Sequence, residues 1–473
     1  MPAIDILQLG SNEGEDYAGN LRVLLAASGD LRNVVQTVAR VPSNYNHSLE
    51  ITINDRDLDI VARNIILLLI ALVVEDTNEA IDCVIHIWYS ALVRESDMDI
   101  LQSRIRPLIE DVCQKVKDKA SKRLLAKTWT FGQRSLRVVL EKSSWDRLLS
   151  FVNNPPGLTA EQAHKVRAAT TMAESRRDYR DRQTYCLSPL RRIALTKFRQ
   201  DGLLLPFGFP RHEFQIPNPT FFHTADTWPL KDNADPLGGW SSEDVAATSS
   251  GPATADINGK LFYYLRTLLR SFLDRLSSLN VSFKMFQVDA SSLPGHLDSD
   301  TFSRIEVSNI SDAGWLGIHR TLYYMMPLLQ TPPENPHATL ITLFMNAVDE
   351  TLTEDDMRRD LTANSQNTKR VFKYLPKSGN PRSPYDPILI KFNLGRDLVR
   401  TYDHIFDRYF KKFKFREAAD FAGAAVKEKH TIIDKWPYRL KLRPGQPGAQ
   451  VEFDRLMSEG LSGKERYMEW KKL

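Results

Sequence analysis

The stretch Val281 to Asp312 constrains the fold of this chain most. An apolar alternating run, Val281 to Val288, ends in an acid, Asp289. A short polar turn with Leu293-Pro294 follows. A second strand-like run, Phe302 to Val307, ends in Ser308-Asn309. Two strands with polar groups at their carboxyl ends are what an open parallel sheet presents at its ligand edge.

Residues 1–75 supply a matching half. Leu21 to Ala27 is a buried-strand run, Ser28-Gly29-Asp30-Leu31-Arg32-Asn33 is a polar turn, and Val34 to Val41 reads as a helix. A second strand, Leu49 to Asn54, leads into Asp55, 26 residues after Gly29. A glycine turn followed about 20 residues later by an acid is the order of a nucleotide-binding βαβ unit. Backbone must approach the ligand at the turn, which favours a residue without a side chain. A carboxylate can accept hydrogen bonds from both ribose hydroxyls. The plainer alternative is an α/β scaffold in which Asp55 only caps the next helix.

The expected architecture is α/β, with strands at 21–27, 49–54, 281–288, 302–307 and 338–344 in one mostly parallel sheet. Four segments follow: a first half of the sheet unit (1–75), a mostly helical insertion (76–280), a second half (281–350) and a helical C-terminal extension (351–473). Helical spacing is read at 79–93, 98–117, 135–152, 190–204 and 259–280, and again at 315–329 and 396–415. Residues 353–383 read as a polar helix and loop. Residues 205–258 are rich in Pro, Gly, Asp and Trp and show little periodicity.

The run Asp289-Ala290, Leu293-Pro294, Phe302 to Ile305 resembles the third and fourth strands of S-adenosylmethionine-dependent methyltransferases of the Rossmann-like class I type. That resemblance implies adenine beside Asp289 and Ala290, the methionine part at Gly29 and Asp30, and ribose at Asp55. The turn here has one glycine where that pattern usually has two or three. More narrowly, LLAASGDLRNVVQTVAR, LEITINDRDLDIVARNIILLLIAL and HIWYSAL resemble the domain shared by fungal MYND-finger-associated proteins and the dynein axonemal assembly factor three family. The likeness spans about 1–350, and the ciliary relatives imply an assembly role rather than catalysis. A MYND-type Cys/His cluster is absent from the sequence.

Composition narrows the options. The 63 basic and 59 acidic residues leave a net charge of +4, so no strong attraction to polyanions follows. Cys83, Cys113 and Cys186 are far apart and form no CxxC pair, which fits a reducing, cytoplasmic setting. No basic-then-apolar start suggests a signal peptide. The longest apolar run, Ile65 to Val74, is too short to span a bilayer and suits a buried helix.

Two other clusters carry alternatives. The loop 217–240 holds Phe221, His223, Trp228, Asp232 and Trp240, with Phe222, Asp226 and Asp235. Carboxylates and imidazole can bind a divalent ion, but the spacing fits no metal motif. The same residues suit a loop covering a substrate cleft, or an ordered surface loop held by Trp, Pro and Asx-turns. Residues 408–416 interleave bases and aromatics, as single-stranded nucleic-acid binders do. However, Val399, Tyr402, Ile405, Phe406, Tyr409, Phe410 and Phe413 share one helical face, which reads as core.

Two functions remain open. One is a methyltransferase-like enzyme using S-adenosylmethionine on a small-molecule or protein acceptor, with Asn309 and Asp312 positioning the acceptor or taking its proton. The other is a non-catalytic assembly or interaction factor on the same fold. Neither nucleic acid nor membrane is expected as a partner.

Overall fold

The computed structural model describes residues 1–361, 365–376, 383 and 385–473. The first strand, β1 (Leu21–Leu25), enters a turn and then helix α1 (Arg32–Ala39). Strand β2 (Leu49–Asn54) follows, then α2 (Leu58–Val73) and α3 (Thr77–Tyr89). Asp57 and Asp76 cap these two helices, accepting from Asp59 N and Glu79 N, as short polar side chains do at helix starts. Nearly every side chain of α2 is buried. This is the signature of a helix wrapped on all sides by protein.

The chain then departs from a purely helical insertion. Residues Leu124–Phe131 (β3) and Arg134–Glu141 (β4) form an antiparallel hairpin. The segment 135–152, read above as helical, is strand to Glu141 and helix only over Lys142–Leu148. Leu136, Val138 and Leu140 point to one side with period two, and that alternation overrides the helical spacing. Helix α4 (Ile257–Ser278) then delivers β5 (Val281–Phe286), β6 (Arg304–Glu306) and, after helix α5 (Gly317–Met325), β7 (Thr339–Phe344).

The C-terminal segment also contributes strands, β8 (Ala424–Val426) and β9 (Arg466–Lys472). It therefore adds two strands to the helices expected of the C-terminal extension. The amphipathic stretch 396–415 breaks at Arg400 into Pro387–Val399 and α6 (Asp403–Lys412). The polar helix expected over 353–383 divides into Glu354–Leu361 and Gln366–Phe372. Its remainder at 362–364 and 377–382 lies outside the described residues.

These nine strands join one sheet in the order β8-β9-β7-β6-β1-β2-β5-β4-β3, while Leu92–Val93 and Ile216–Pro217 pair separately. Pairing is parallel from β4 through β7 and antiparallel at both edges. The five expected strands are thus neighbours in a mixed α/β fold with a large, mostly parallel sheet. On one face Val23, Leu25, Ile51, Ile53, Phe283 and Met285 pack against α1, α2 and α4. On the other, Leu24, Ile305, Leu340 and Phe344 meet Leu322 of α5 and Phe406 and Tyr409 of α6. Each fully buried side chain of this kind contributes about 1.5–3 kcal/mol. The aromatics of 402–409 are core, as their spacing indicated. Among the described residues, no helix is long and apolar enough to cross a membrane.

Candidate cleft at the carboxyl edge of the sheet

The strand order grows outward in both directions from β1, so a crevice opens where the chain leaves β1 one way and β6 the other. A cleft of about 740 Å³ lies there. Its walls include Ala26 to Asp30 after β1, Asn54 to Arg56 after β2, Val288 to Ser291 after β5, and Glu306, Ser308 and Asn309 at the end of β6. That size suits a nucleotide-scale molecule.

The glycine turn is fixed from both sides. Gly29 has φ of +61°, the left-handed region that favours glycine. Its N–H donates to Asp55 Oδ2 at 3.0 Å, and its carbonyl accepts from Asn64 Nδ2 at 2.9 Å. A Cβ built on Gly29 would meet nothing within 4 Å. The side-chain-free position therefore leaves space in the cleft as well as permitting the turn.

Asn54 locks three strand ends together. Its Nδ2 donates to Ala26 O at 2.9 Å and Val288 O at 3.0 Å, and its Oδ1 accepts from Val288 N at 3.1 Å. The residue is 1% exposed. Asn54→Ala strands those three backbone groups and is expected to lower unfolding free energy by about 2–3 kcal/mol, read from urea denaturation. A loss under about 0.5 kcal/mol would count against this locking role.

The expected cofactor residues converge here. Gly29, Asp30, Asp55, Asp289 and Ala290 all border the cleft. Asp55 also accepts from Asp57 N at 3.0 Å. Burial raises its carboxyl above the usual range, partly offset by the backbone N–H groups it accepts from. Asp289 accepts from Ser291 N at 2.9 Å and Ser291 Oγ at 2.6 Å, and these bonds hold its carboxyl low. Asp30 accepts from Arg32 Nε at 2.7 Å. Arg56 stands 5.6 Å from the centre of the Trp315 ring, so a cation–π contact joins two residues of the cleft wall.

Of the two expected acceptor residues, Asn309 borders the cleft and Asp312 does not. Asp312 is fully buried and accepts from Met345 N at 3.1 Å and Asn346 N at 3.2 Å. The chain turns through Ser308–Ser311 after β6, and this carries Asp312 back against the end of β7. Its part is to satisfy two backbone donors there. Burial pushes its carboxyl up to about 6.

The 217–240 loop does not form the cleft wall, which corrects the covering-loop expectation. Phe221 and Phe222 pack with Trp228 against Ala91 and Ala163. His223 stacks on Phe151 at 4.5 Å, and its Nε2 lies 3.7 Å from Asp59. Asp232 pairs with Arg176 at 2.8 Å, and Asp235 pairs with Arg191. The Trp240 indole donates to Tyr89 Oη at 2.9 Å and packs on Trp88. Asp232 and Asp235 each have an arginine, and the buried aromatics pack within the helical insertion, so the loop is a belt across the inserted helices. Among the described residues, no group of three or more His, Cys, Asp or Glu could hold a metal ion. The loop reaches the cleft region only indirectly. Gly239 O accepts from Ala3 N, and the Gly239 backbone sits tightly against the Arg32 side chain.

Glu306 was not singled out from the sequence, yet it is the most deeply buried acid bordering the cleft. The available signal was an acid between the apolar Ile305 and Val307 at the end of a strand run.

Residues 1–93 match a family described only as a domain of unknown function (DUF4470). The matched segment carries β1, the glycine turn, β2, Asp55 and Asn64. No curated protein and no solved structure matches the chain.

Proposed function

We propose that the chain binds S-adenosylmethionine across the carboxyl edge of its sheet and is a methyltransferase-like protein acting on a small-molecule or protein acceptor. The observation that carries this reading is the meeting of Gly29, Asp55 and Asp289, from three separate strand ends, in one nucleotide-sized cleft. The order β5-β2-β1-β6-β7 is the doubly wound order. The antiparallel β9 between β7 and β8 supports reading the sheet as class I methyltransferase-like.

The donor set fits such a ligand. Gly29 leaves room for its middle, Asp55 has acceptor capacity for ribose hydroxyls, and Asp289-Ala290 flank a slot for adenine. The sulfonium supplies an already activated methyl group. The protein's part is to hold the acceptor in line, and Asn309 is the side chain proposed for that positioning.

A second reading has its own support. Asp55 and Asp289 each hold backbone N–H groups of their own turns. Those bonds suit a scaffold that keeps the fold without the chemistry. On that reading the chain is an assembly or interaction factor, in line with its resemblance to fungal MYND-finger-associated and dynein-assembly proteins.

Calorimetry with S-adenosylmethionine and S-adenosylhomocysteine separates the two. Binding is expected, and Asp55→Ala should weaken it by more than about 1 kcal/mol, the scale of lost charge-assisted hydrogen bonds. Unchanged affinity in that variant removes Asp55 from the ribose site. No binding by the wild type leaves the non-catalytic reading.

A further inference from the structure

The end of β6 holds an acid that has no partner charge among the described residues. Glu306 pairs in register with Leu25 of β1 and Ile341 of β7, next to the point where strand order reverses. It is 5% exposed. One carboxyl oxygen accepts from Ser308 N at 2.7 Å. Among the described residues the other oxygen has no protein donor and no basic side chain forms an ion pair with it, while the residue borders the cleft. Burial with no counter-ion pushes the carboxyl up to about 7.

Buried carboxylates are ordinarily paired or fully hydrogen-bonded. Here the protein supplies half of what the group needs, and the open side faces the space where a ligand would lie. The turn beside it, Leu25-Ala26-Ala27-Ser28, offers no charged side chain. Asp55 directly follows β2, on the other flank of β1. Neighbouring strands lie about 4.8 Å apart, so the ends of β2 and β6 are separated by about 10 Å. The Gly29 turn follows the strand between them. An elongated ligand laid over that turn would meet one acid at each end.

Resting on the cofactor reading above, we propose that Glu306 recognises a primary ammonium on the ligand's amino-acid end, while Asp55 holds its ribose end. The ammonium supplies the missing counter-ion and completes the hydrogen bonding of the free oxygen in one contact. Such a site selects nucleosides that carry an amino-acid chain over those that carry a neutral one.

Two ligands test this. S-adenosylhomocysteine carries the ammonium, and 5′-methylthioadenosine shares its adenosine and sulfur but has no amino-acid end. Calorimetry should give wild-type protein a clear preference for the first. Glu306→Gln keeps the side-chain shape and an acceptor for Ser308 N. It should weaken S-adenosylhomocysteine roughly tenfold or more and leave 5′-methylthioadenosine within about twofold. Equal weakening of both ligands, or no change in either, overturns the ammonium site while leaving the cofactor reading standing. Wild-type protein that binds neither ligand overturns both. A thermal melt of the variant checks that the fold is intact.

Discussion

Arg304→Met is expected to cost the fold about 3–5 kcal/mol, the scale for removing one member of a buried ion pair. Arg304 and Glu13 side chains are both essentially inaccessible, with Arg304 Nη2 2.6 Å from Glu13 Oε2. The same guanidinium donates to Leu7 O at 3.1 Å and Ser303 O at 2.9 Å. The pair therefore ties the N-terminal segment onto β6. Burial alone would raise the Glu13 carboxyl, but Arg304, with Asn335 and a backbone N–H, together bring the net direction down. Without Arg304 that buried acid loses its counter-ion and keeps Asn335 Nδ2, at 3.1 Å, as a side-chain donor. The double variant Arg304→Met with Glu13→Gln removes the stranded charge and should recover more than half of the loss. Urea denaturation of the two variants measures both numbers. A single variant within about 1 kcal/mol of wild type would show that the pair does not hold this segment.

The core of the sheet was legible because both of its faces are covered. Runs such as Leu340 to Phe344 and Leu49 to Asn54 are buried on nearly every residue, and only a central strand asks for that. The outer strands next to the edges were not legible. In β4, Leu136, Val139 and Leu140 also fit helical spacing, and the true helix beginning at Lys142 extended the same pattern. In β9, the buried Glu469 interrupts an otherwise apolar run. That acid is held by backbone N–H groups of Thr431, Ile432 and Ile433, nearly 40 residues away in sequence, and no local pattern announces such a partner.

The same division holds at the cleft. Gly29, Asp55 and Asp289 were visible because each stands just past an apolar run, where strand ends meet in an open parallel sheet. Asp312 lies off the cleft wall because the turn Ser308–Ser311, which strand-end logic does not see, folds the chain back. The aromatic loop misled for a different reason. Its composition suits a pocket, but the partners of Asp232, Asp235 and Trp240 are Arg176, Arg191 and Tyr89, all inside the helical insertion. Asn54 was overlooked because it was read as the last residue of a strand. Its worth comes from Ala26 and Val288, which only the assembled sheet brings to it.

Glu306 also makes a prediction that requires no ligand. Its carboxyl has an ordinary value of 4.5, and burial pushes it up to about 7 in the fold. A folded value raised above the unfolded one means the native state binds the proton more tightly. Glu306 therefore costs the native state little while both states are protonated. It destabilises the fold progressively as pH rises from the unfolded value through the folded one. At about 1.4 kcal/mol for each tenfold difference in proton affinity, the full effect approaches about 3 kcal/mol. Asp312, whose carboxyl is also raised by burial, adds a slope of the same sign, so the wild-type profile alone does not isolate Glu306. The difference between Glu306→Gln and wild type does. That difference should move in favour of the variant by about 2–3 kcal/mol between roughly pH 5 and pH 8. Urea denaturation at the two pH values measures it. A flat difference would mean that solvent or an unrecognised partner already stabilises the ionised carboxylate. The same result would remove the uncompensated charge on which ammonium recognition at this site depends.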